Sequence, residues 1–405
     1  MNRPEQMCRL NYRIMRTKKR IGILTGGGDV QPLNAVIAAV KKTAANNSID
    51  LVGFLNGWQG VLDKQFVNLH KIKVDSAIGG TILRSSRVNL AKVIGGVSTA
   101  VTNLEHLGID GLIVVGGEDT LSNAFHLPNI PQVLISKTID NDVGVLKNSG
   151  SSFRNSDVIN HFNLGHPTAA RTISSFVSLN EGVRTTAYSH ERIMIVESMG
   201  MHAGWLALSS CMGRPDFIII PEFPLDYELF LQRTADLYQK QKHVVAVIAE
   251  GARWLDGSYM SADETEKDSF GHPKFKGSAT ALAAKLKNDL KNCFDTRNVN
   301  AVNPSYIYRS GAPCILDRSC AALLGTQAVR ILKRGISEPF FLILKHEKGK
   351  YSTELIPVHS LDSIESFHRF IDERLYDPKK FAPTKAAERY WQTIVPSLPK
   401  LTYSL

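Results

Sequence analysis

Gln132-Val133-Leu134-Ile135-Ser136-Lys137-Thr138-Ile139-Asp140-Asn141-Asp142 opens on a short apolar run and ends on a cation and two carboxylates one residue apart. The run from Gln132 to Ile135 has the length and composition of a buried strand. In open α/β sheets, ligands bind in the crevice at the carboxyl ends of the strands. A carboxylate placed there can act as a general base, and a neighbouring lysine can hold a phosphate.

The same arrangement recurs along the chain. Residues 20–25 read as a strand that breaks at Gly26-Gly27-Gly28, with a helix expected over 33–45. Residues 111–115 form a second strand signal, ending in Gly116-Gly117. Further strands are expected at 193–196, 217–220, 244–248 and 340–344, with helical patterns at 203–212, 227–239, 279–290 and 320–333. This alternation argues for an α/β fold with parallel-rich sheets flanked by helices. Residues 143–161 lack periodicity around Asn148-Ser149-Gly150-Ser151-Ser152 and read as a polar loop, either a lid or a surface insertion.

A chain of 405 residues suits two domains or two lobes, and 43% hydrophobic residues suffice for packed cores. No apolar run is long enough to span a bilayer, and the first twenty residues lack the apolar core of a secretory signal. Five cysteines, none in a C-x-x-C pair, suggest neither a disulfide framework nor a zinc site, and imply a reducing, cytoplasmic setting. Residues 1–20 carry seven Lys or Arg against one Glu, so a basic leader (1–19) holds much of the net charge of +10. No nucleic-acid module follows it, and the remaining excess suits small polyanionic substrates.

Several segments carry chemistry that each leaves open alone. Gly26-Gly27-Gly28-Asp29 would let backbone N–H groups approach phosphate oxygens, and would equally make a plain tight turn. It is neither G-x-G-x-x-G nor a Walker A sequence. In Gly116-Gly117-Glu118-Asp119-Thr120, Glu118 could hold Mg²⁺, or both acids could simply face a helix N-terminus. Gly79-Gly80-Thr81-Ile82-Leu83-Arg84-Ser85-Ser86-Arg87 offers two arginines suited to phosphate or to surface salt bridges. His190 and His202 read as hydrogen-bonded structural histidines. Pro221-Glu222 closes a strand with a carboxylate that could accept sugar hydroxyl protons, and the 303–311 segment adds Tyr306, Tyr308 and Arg309 beside a turn.

Taken in order, strand-GGGD, GGTxLxxSR, GGED, KTIDND, SHER…MGMHAG, PE and PSYxxR resemble the phosphofructokinase family over residues 20–330 or so. The acid motif and the Ser-His-x-Arg…Met-Gly-x-x-Ala-Gly pattern are its most specific parts. The resemblance implies two α/β lobes with the active site between them. One lobe, for the donor phosphates, would take 20–156 plus about 312–345. The other, for fructose 6-phosphate, would take 157–311, leaving 346–405 as a C-terminal extension. It implies phosphoryl transfer to the 1-hydroxyl of fructose 6-phosphate, with Asp140 as the general base, a role typically worth ~10²–10⁴-fold in rate. Thr138 and Asp140 match positions lining the sugar, Met199, Gly200 and Glu222 match sugar contacts, and Met201 is a further substrate-binding position. Tyr306 and Arg309 match the pair near the 6-phosphate. Arg192 matches an arginine that reaches the 6-phosphate of a neighbouring subunit, which implies a homodimer or homotetramer with shared sites. Gly27 and Arg87 match donor-phosphate contacts, and Glu118 matches the Mg²⁺ position, more often aspartate.

Two positions bear on the donor. Members that use ATP carry glycine where this chain has Asp119 and Lys137, leaving room for the nucleotide's α-phosphate. A carboxylate ~4 Å from that phosphate, at an effective dielectric of about 20, would repel it by about 4 kcal/mol. That repulsion corresponds to roughly two to three orders of magnitude in affinity. The pair therefore resembles the subgroup that uses pyrophosphate. An ATP-using or mixed-donor enzyme is the alternative, and a catalytically silent regulatory subunit a third. Three departures accompany the match: Met201 stands where arginine is usual, Gln31-Pro32 where Pro-Gly is usual, and the 143–161 connector is longer.

Overall fold

The computed structural model describes residues 18–148, 150–260, 262–267, 273–275, 277–292, 298–396 and 398–402. Most of the basic leader, together with Cys8 and Cys293, lies outside them. The chain divides into two compact units, each assembled from separated segments.

The first unit comprises the chain up to Thr138, Ile159–Gly165 and Ser310–His368. Its sheet runs in the order Lys350–Pro357, Phe340–Glu347, Gln132–Thr138, Gly111–Gly116, Arg20–Thr25, Asp50–Phe54 and Phe66–Asn68. The five central strands are parallel, and the two outer ones pair antiparallel. Leu164–Gly165 adds a short parallel pairing to Gln132–Thr138. The parallel strands are buried almost throughout, as expected where helices cover a sheet. The helices Leu33–Asn46 and Ile315–Arg334 pack closely because Gly325 has no side chain. A Cβ there would stand 2.8 Å from the Val36 carbonyl oxygen.

The second unit comprises Ile139–Val158, His166–Arg309 and the chain from Arg369. Its parallel sheet runs Phe217–Ile219, Val244–Ala249, Ile193–Ser198 and Val299–Val302. The helices Tyr227–Gln241 and Ser278–Leu290 pack on it through Phe230, Tyr238, Leu282 and Leu286. Asp226 caps the first of these by accepting from the Leu229 N–H at 3.1 Å. A second apolar centre gathers Trp205, Tyr390 and Trp391.

The units divide the chain differently from the expected lobes. The first changeover follows Thr138, where the strand ends, rather than 156, and residues 346–405 are shared between both units. The 143–161 segment is also more ordered than its composition suggests. It holds a short strand at Val145–Leu146 and a 3₁₀ turn at Asn155–Asp157. Arg374 donates to the Lys147 carbonyl at 2.9 Å, and Phe153 packs edge-on against Tyr390. Tertiary packing supplies what local periodicity does not. The helix expected over 203–212 is only Trp205–Ser209, followed by a 3₁₀ turn, Ser210–Gly213. No helix among the described residues is long and apolar enough to cross a membrane.

Candidate functional site

The predicted site residues fall into two groups, one in each unit. In the first unit they gather where the parallel strands end. Arg20–Thr25 passes into the glycine turn, whose Gly26 N–H donates to the Val115 carbonyl at 3.0 Å and Gly27 N–H to that of Ser86 at 2.9 Å. Gly27 has φ +78°, a left-handed conformation that favours glycine. Thr120 separates the two glycine loops: a Cβ on Gly26 would lie 2.6 Å from its side chain, and one on Gly116 2.3 Å. Trp58 holds the Thr120 carbonyl from beneath through its indole N–H at 3.0 Å.

Lys137 is the penultimate residue of the Gln132–Thr138 strand and is only 2% exposed. Its ammonium donates to the Gly28 carbonyl. A Cβ on Gly27 would come within 2.9 Å of that nitrogen. The lysine therefore lies against the glycine turn, and any larger residue at 27 would meet it. Glu118 and Asp119 open a four-residue helix after Gly117; Glu118 is half-buried and Asp119 exposed. Asn123 fixes this turn by donating to the Asp119 carbonyl at 2.9 Å.

Arg87 is exposed, at the end of a loop held by Asn34. The Asn34 side chain accepts from the Ile82 N–H at 2.8 Å and donates to the Ile78 carbonyl at 3.1 Å. Gln31, in the unusual Gln31-Pro32 turn, accepts from Gly80 N–H and donates to the Ser310 carbonyl at 3.2 Å. The altered turn thus carries its own fastenings.

In the second unit, Asp140 is half-buried at the turn that follows the strand. Asn141 is fully buried with φ +57°. Met199 and Gly200 follow the Ile193–Ser198 strand. Gly200 has φ +124°, and its N–H donates to a Glu250 carboxylate oxygen at 3.0 Å. Met201 packs its carbonyl so tightly on Gly251 that a Cβ there would stand 1.9 Å from it.

Glu250 is a functional candidate that the sequence reading missed. It ends the Val244–Ala249 strand just as Glu222 ends its own, so the strand-end signal was available. Burial, then the neighbouring Asp140 charge, push its carboxyl up to about 7, against the Gly200 N–H and the Arg309 charge, which lower it. The two acids and Arg309 therefore form one electrostatic group. Glu197 lies deeper, accepting from the Ala279 N–H at 2.9 Å and from the Asn303 amide at 2.7 Å. Burial raises its pKa as well, and its backbone carbonyl accepts from the Tyr308 hydroxyl at 2.9 Å.

The remaining predicted residues are placed less centrally. Both Glu222 oxygens accept from the Gly204 N–H, at 2.9 and 3.0 Å, and one also from the Ile371 N–H at 3.0 Å. This carboxylate anchors the C-terminal segment. Tyr306 is 71% exposed, and Arg309 is half-buried at the end of the same 3₁₀ turn. Arg192 bonds the Thr186 hydroxyl and precedes the Ile193–Ser198 strand, whereas Met199 and Gly200 follow it. Six strand residues span about 20 Å, so the structure does not bring Arg192 to the Asp140 end.

Among the described residues no cluster of three or more His, Cys, Asp or Glu is placed to hold a metal ion. A Mg²⁺ ion needs only one or two carboxylates when phosphate oxygens and waters complete its octahedron. Glu118, at the mouth of a glycine turn, fits that smaller role.

The sequence profile of the phosphofructokinase family matches residues 20–332. A pyrophosphate–fructose 6-phosphate 1-phosphotransferase of Dictyoglomus thermophilum is 35% identical over 370 residues, 90% of this chain and 98% of that protein. An ATP-dependent 6-phosphofructokinase of Mycobacterium bovis is 37% identical over 317 residues, 76% of this chain and 86% of that protein. The crystal structure of a pyrophosphate-dependent phosphofructokinase from Marinobacter aquaeolei superposes with a TM-score of 0.76 at 19% identity, over 95% of this chain and 94% of that one.

Proposed function

The chain belongs to the phosphofructokinase family, and we propose that it transfers a phosphoryl group reversibly from pyrophosphate to the 1-hydroxyl of fructose 6-phosphate. The observation that carries the donor assignment is the buried Lys137 ammonium resting on the glycine turn, at the Gly28 carbonyl. Relatives named for either donor match at comparable identity, so likeness does not separate the donors. Asp119, exposed on the turn beside Glu118, adds negative charge where a nucleotide's α-phosphate would have to pass. Lys137 offsets that charge and holds the transferring group of the smaller donor.

On the acceptor side Asp140 takes the proton of the 1-hydroxyl. Thr138, Met199, Gly200 and Glu250 contact the sugar, and Tyr306 and Arg309 its 6-phosphate. Gly27 and Arg87 bind donor phosphates. Glu118 would hold Mg²⁺, which would neutralise charge on the donor oxygens.

The named ATP-dependent relatives favour a second reading, in which ATP is the donor. Turnover of the purified protein with each donor separates the two, and pyrophosphate is expected to be used far better. Asp119→Gly should raise ATP use, and combining it with loss of Lys137 should depress pyrophosphate use most. The effects need not add, because the two side chains would serve the same phosphate. A wild type that prefers ATP, or an unchanged donor ratio in Asp119→Gly, would overturn the assignment.

A further inference from the structure

Asp140 sits on the turn that follows the Gln132–Thr138 strand. Asn141, the next residue, has φ +57°, a conformation that asparagine tolerates better than most residues. It is held from 228 residues further along the chain. Arg369 is 1% exposed. Its Nε donates to the Asn141 carbonyl and a terminal nitrogen to Asn141 Oδ1, both at 2.7 Å. Its backbone N–H donates to the Asp142 carbonyl at 2.8 Å. The other end of the Asn141 amide donates to the Tyr390 hydroxyl at 3.0 Å.

Arg369 is itself fastened. Its carbonyl accepts from the Trp205 indole N–H at 3.1 Å, and its guanidinium lies 5.0 Å from that ring's centre. On the near side of Asp140, the Ile139 carbonyl is bonded to His166 Nδ1 at 2.8 Å. The backbone carbonyls of the residues before and after Asp140 are thus both gripped by buried polar groups.

A buried guanidinium is costly unless its donors are used, and a neutral side chain of similar volume would fill this space without that cost. The fork meets one particular residue, in the left-handed conformation, beside the proposed base. We propose that Arg369 is a positioning residue for the Asp140 carboxylate, acting through the Asn141 turn, with Tyr390 as the second support. The C-terminal segment therefore contributes to the chemistry without touching substrate. This rests on the reading of Asp140 as the base.

The test uses the full chain and compares Arg369→Lys, Tyr390→Phe and Asp140→Asn, alone and combined. Lysine keeps the charge but cannot reach both acceptors with a planar fork. Phenylalanine removes one oxygen and keeps the ring. Misplacement of a reacting group by about 1 Å can cost ~10²-fold. Arg369→Lys should therefore lower kcat by roughly 10- to 100-fold with the sugar KM nearly unchanged, and Tyr390→Phe should lower it by several-fold. In the Asp140→Asn background neither change should lower the residual rate further, an interaction that a merely structural role would not produce.

If Asp140→Asn keeps near-normal kcat, the reading of the base fails. If it is nearly inactive while Arg369→Lys and Tyr390→Phe turn over like wild type, the positioning role alone fails. Losses that persist undiminished in the Asp140→Asn background would also overturn it. Should Arg369→Lys fail to fold, Tyr390→Phe decides by the same criteria.

Discussion

Glu250 gives the residue scale its clearest measurable property. Its carboxyl titrates near 7 in the folded protein because burial and the Asp140 charge disfavour ionisation. The folded state thus holds this proton more tightly than the unfolded chain, whose carboxyl titrates near 4.5. The stabilisation is complete below the unfolded value and is lost as pH rises through about 7. It amounts to no more than about 3 kcal/mol. Glu250→Gln should therefore gain stability relative to wild type between pH 5 and 8, read as the difference in thermal midpoint. A difference that does not change with pH would show that Glu250 is already ionised. The sequence displayed this residue no less openly than Asp140. What it could not display was the proximity of three charges, since Asp140, Glu250 and Arg309 meet only through tertiary packing. The Glu222 carboxylate has a similar strand-end setting, but it accepts from two main-chain N–H groups, those of Gly204 and Ile371, and fastens the C-terminal segment.

At the scale of elements, most of the parallel strands were legible as short apolar runs, and their ends moved by at most a few residues, but Asp50–Phe54 and Val299–Val302, parallel as well, were not among those expected. The 143–161 stretch was not legible, because its order depends on Arg374 and Tyr390, far along the chain. The helix pair Leu33–Asn46 and Ile315–Arg334 offers a direct test of packing. In an exposed helix, replacing glycine by alanine stabilises by up to about 1 kcal/mol. At Gly325 the added Cβ would meet the Val36 carbonyl oxygen at 2.8 Å and Ala39 Cβ at 3.2 Å. Overpacking of this kind costs typically ~1–3 kcal/mol. Gly325→Ala should lower the thermal midpoint. A rise would mean that the two helices separate more easily than their spacing implies.

At the scale of the whole molecule, strand-helix alternation foretold an α/β chain but not how its segments group into units. Boundaries follow contacts between distant segments, and periodicity is blind to them. Arg192 lies at the opposite end of the Ile193–Ser198 strand from Met199 and Gly200. If it serves a neighbouring subunit, Arg192→Ala and Asp140→Asn proteins should each be impaired and should regain activity when mixed into one oligomer. Confirmed mixing without recovery would count against a shared site.

The grip of Arg369 on Asn141 has a consequence for synthesis on the ribosome. Chains grow at about 5–20 residues per second, so roughly 10–50 s separate the emergence of the turn from that of the arginine that holds it. During that interval the turn carrying Asp140 has His166 but lacks Arg369 and Tyr390, and its full order arrives backwards, from the last-made segment to the middle one. Nascent chains arrested before residue 369 should be cut by protease within 139–158, and released chains should resist. Equal resistance in both would mean that the turn holds its shape before its clamp exists.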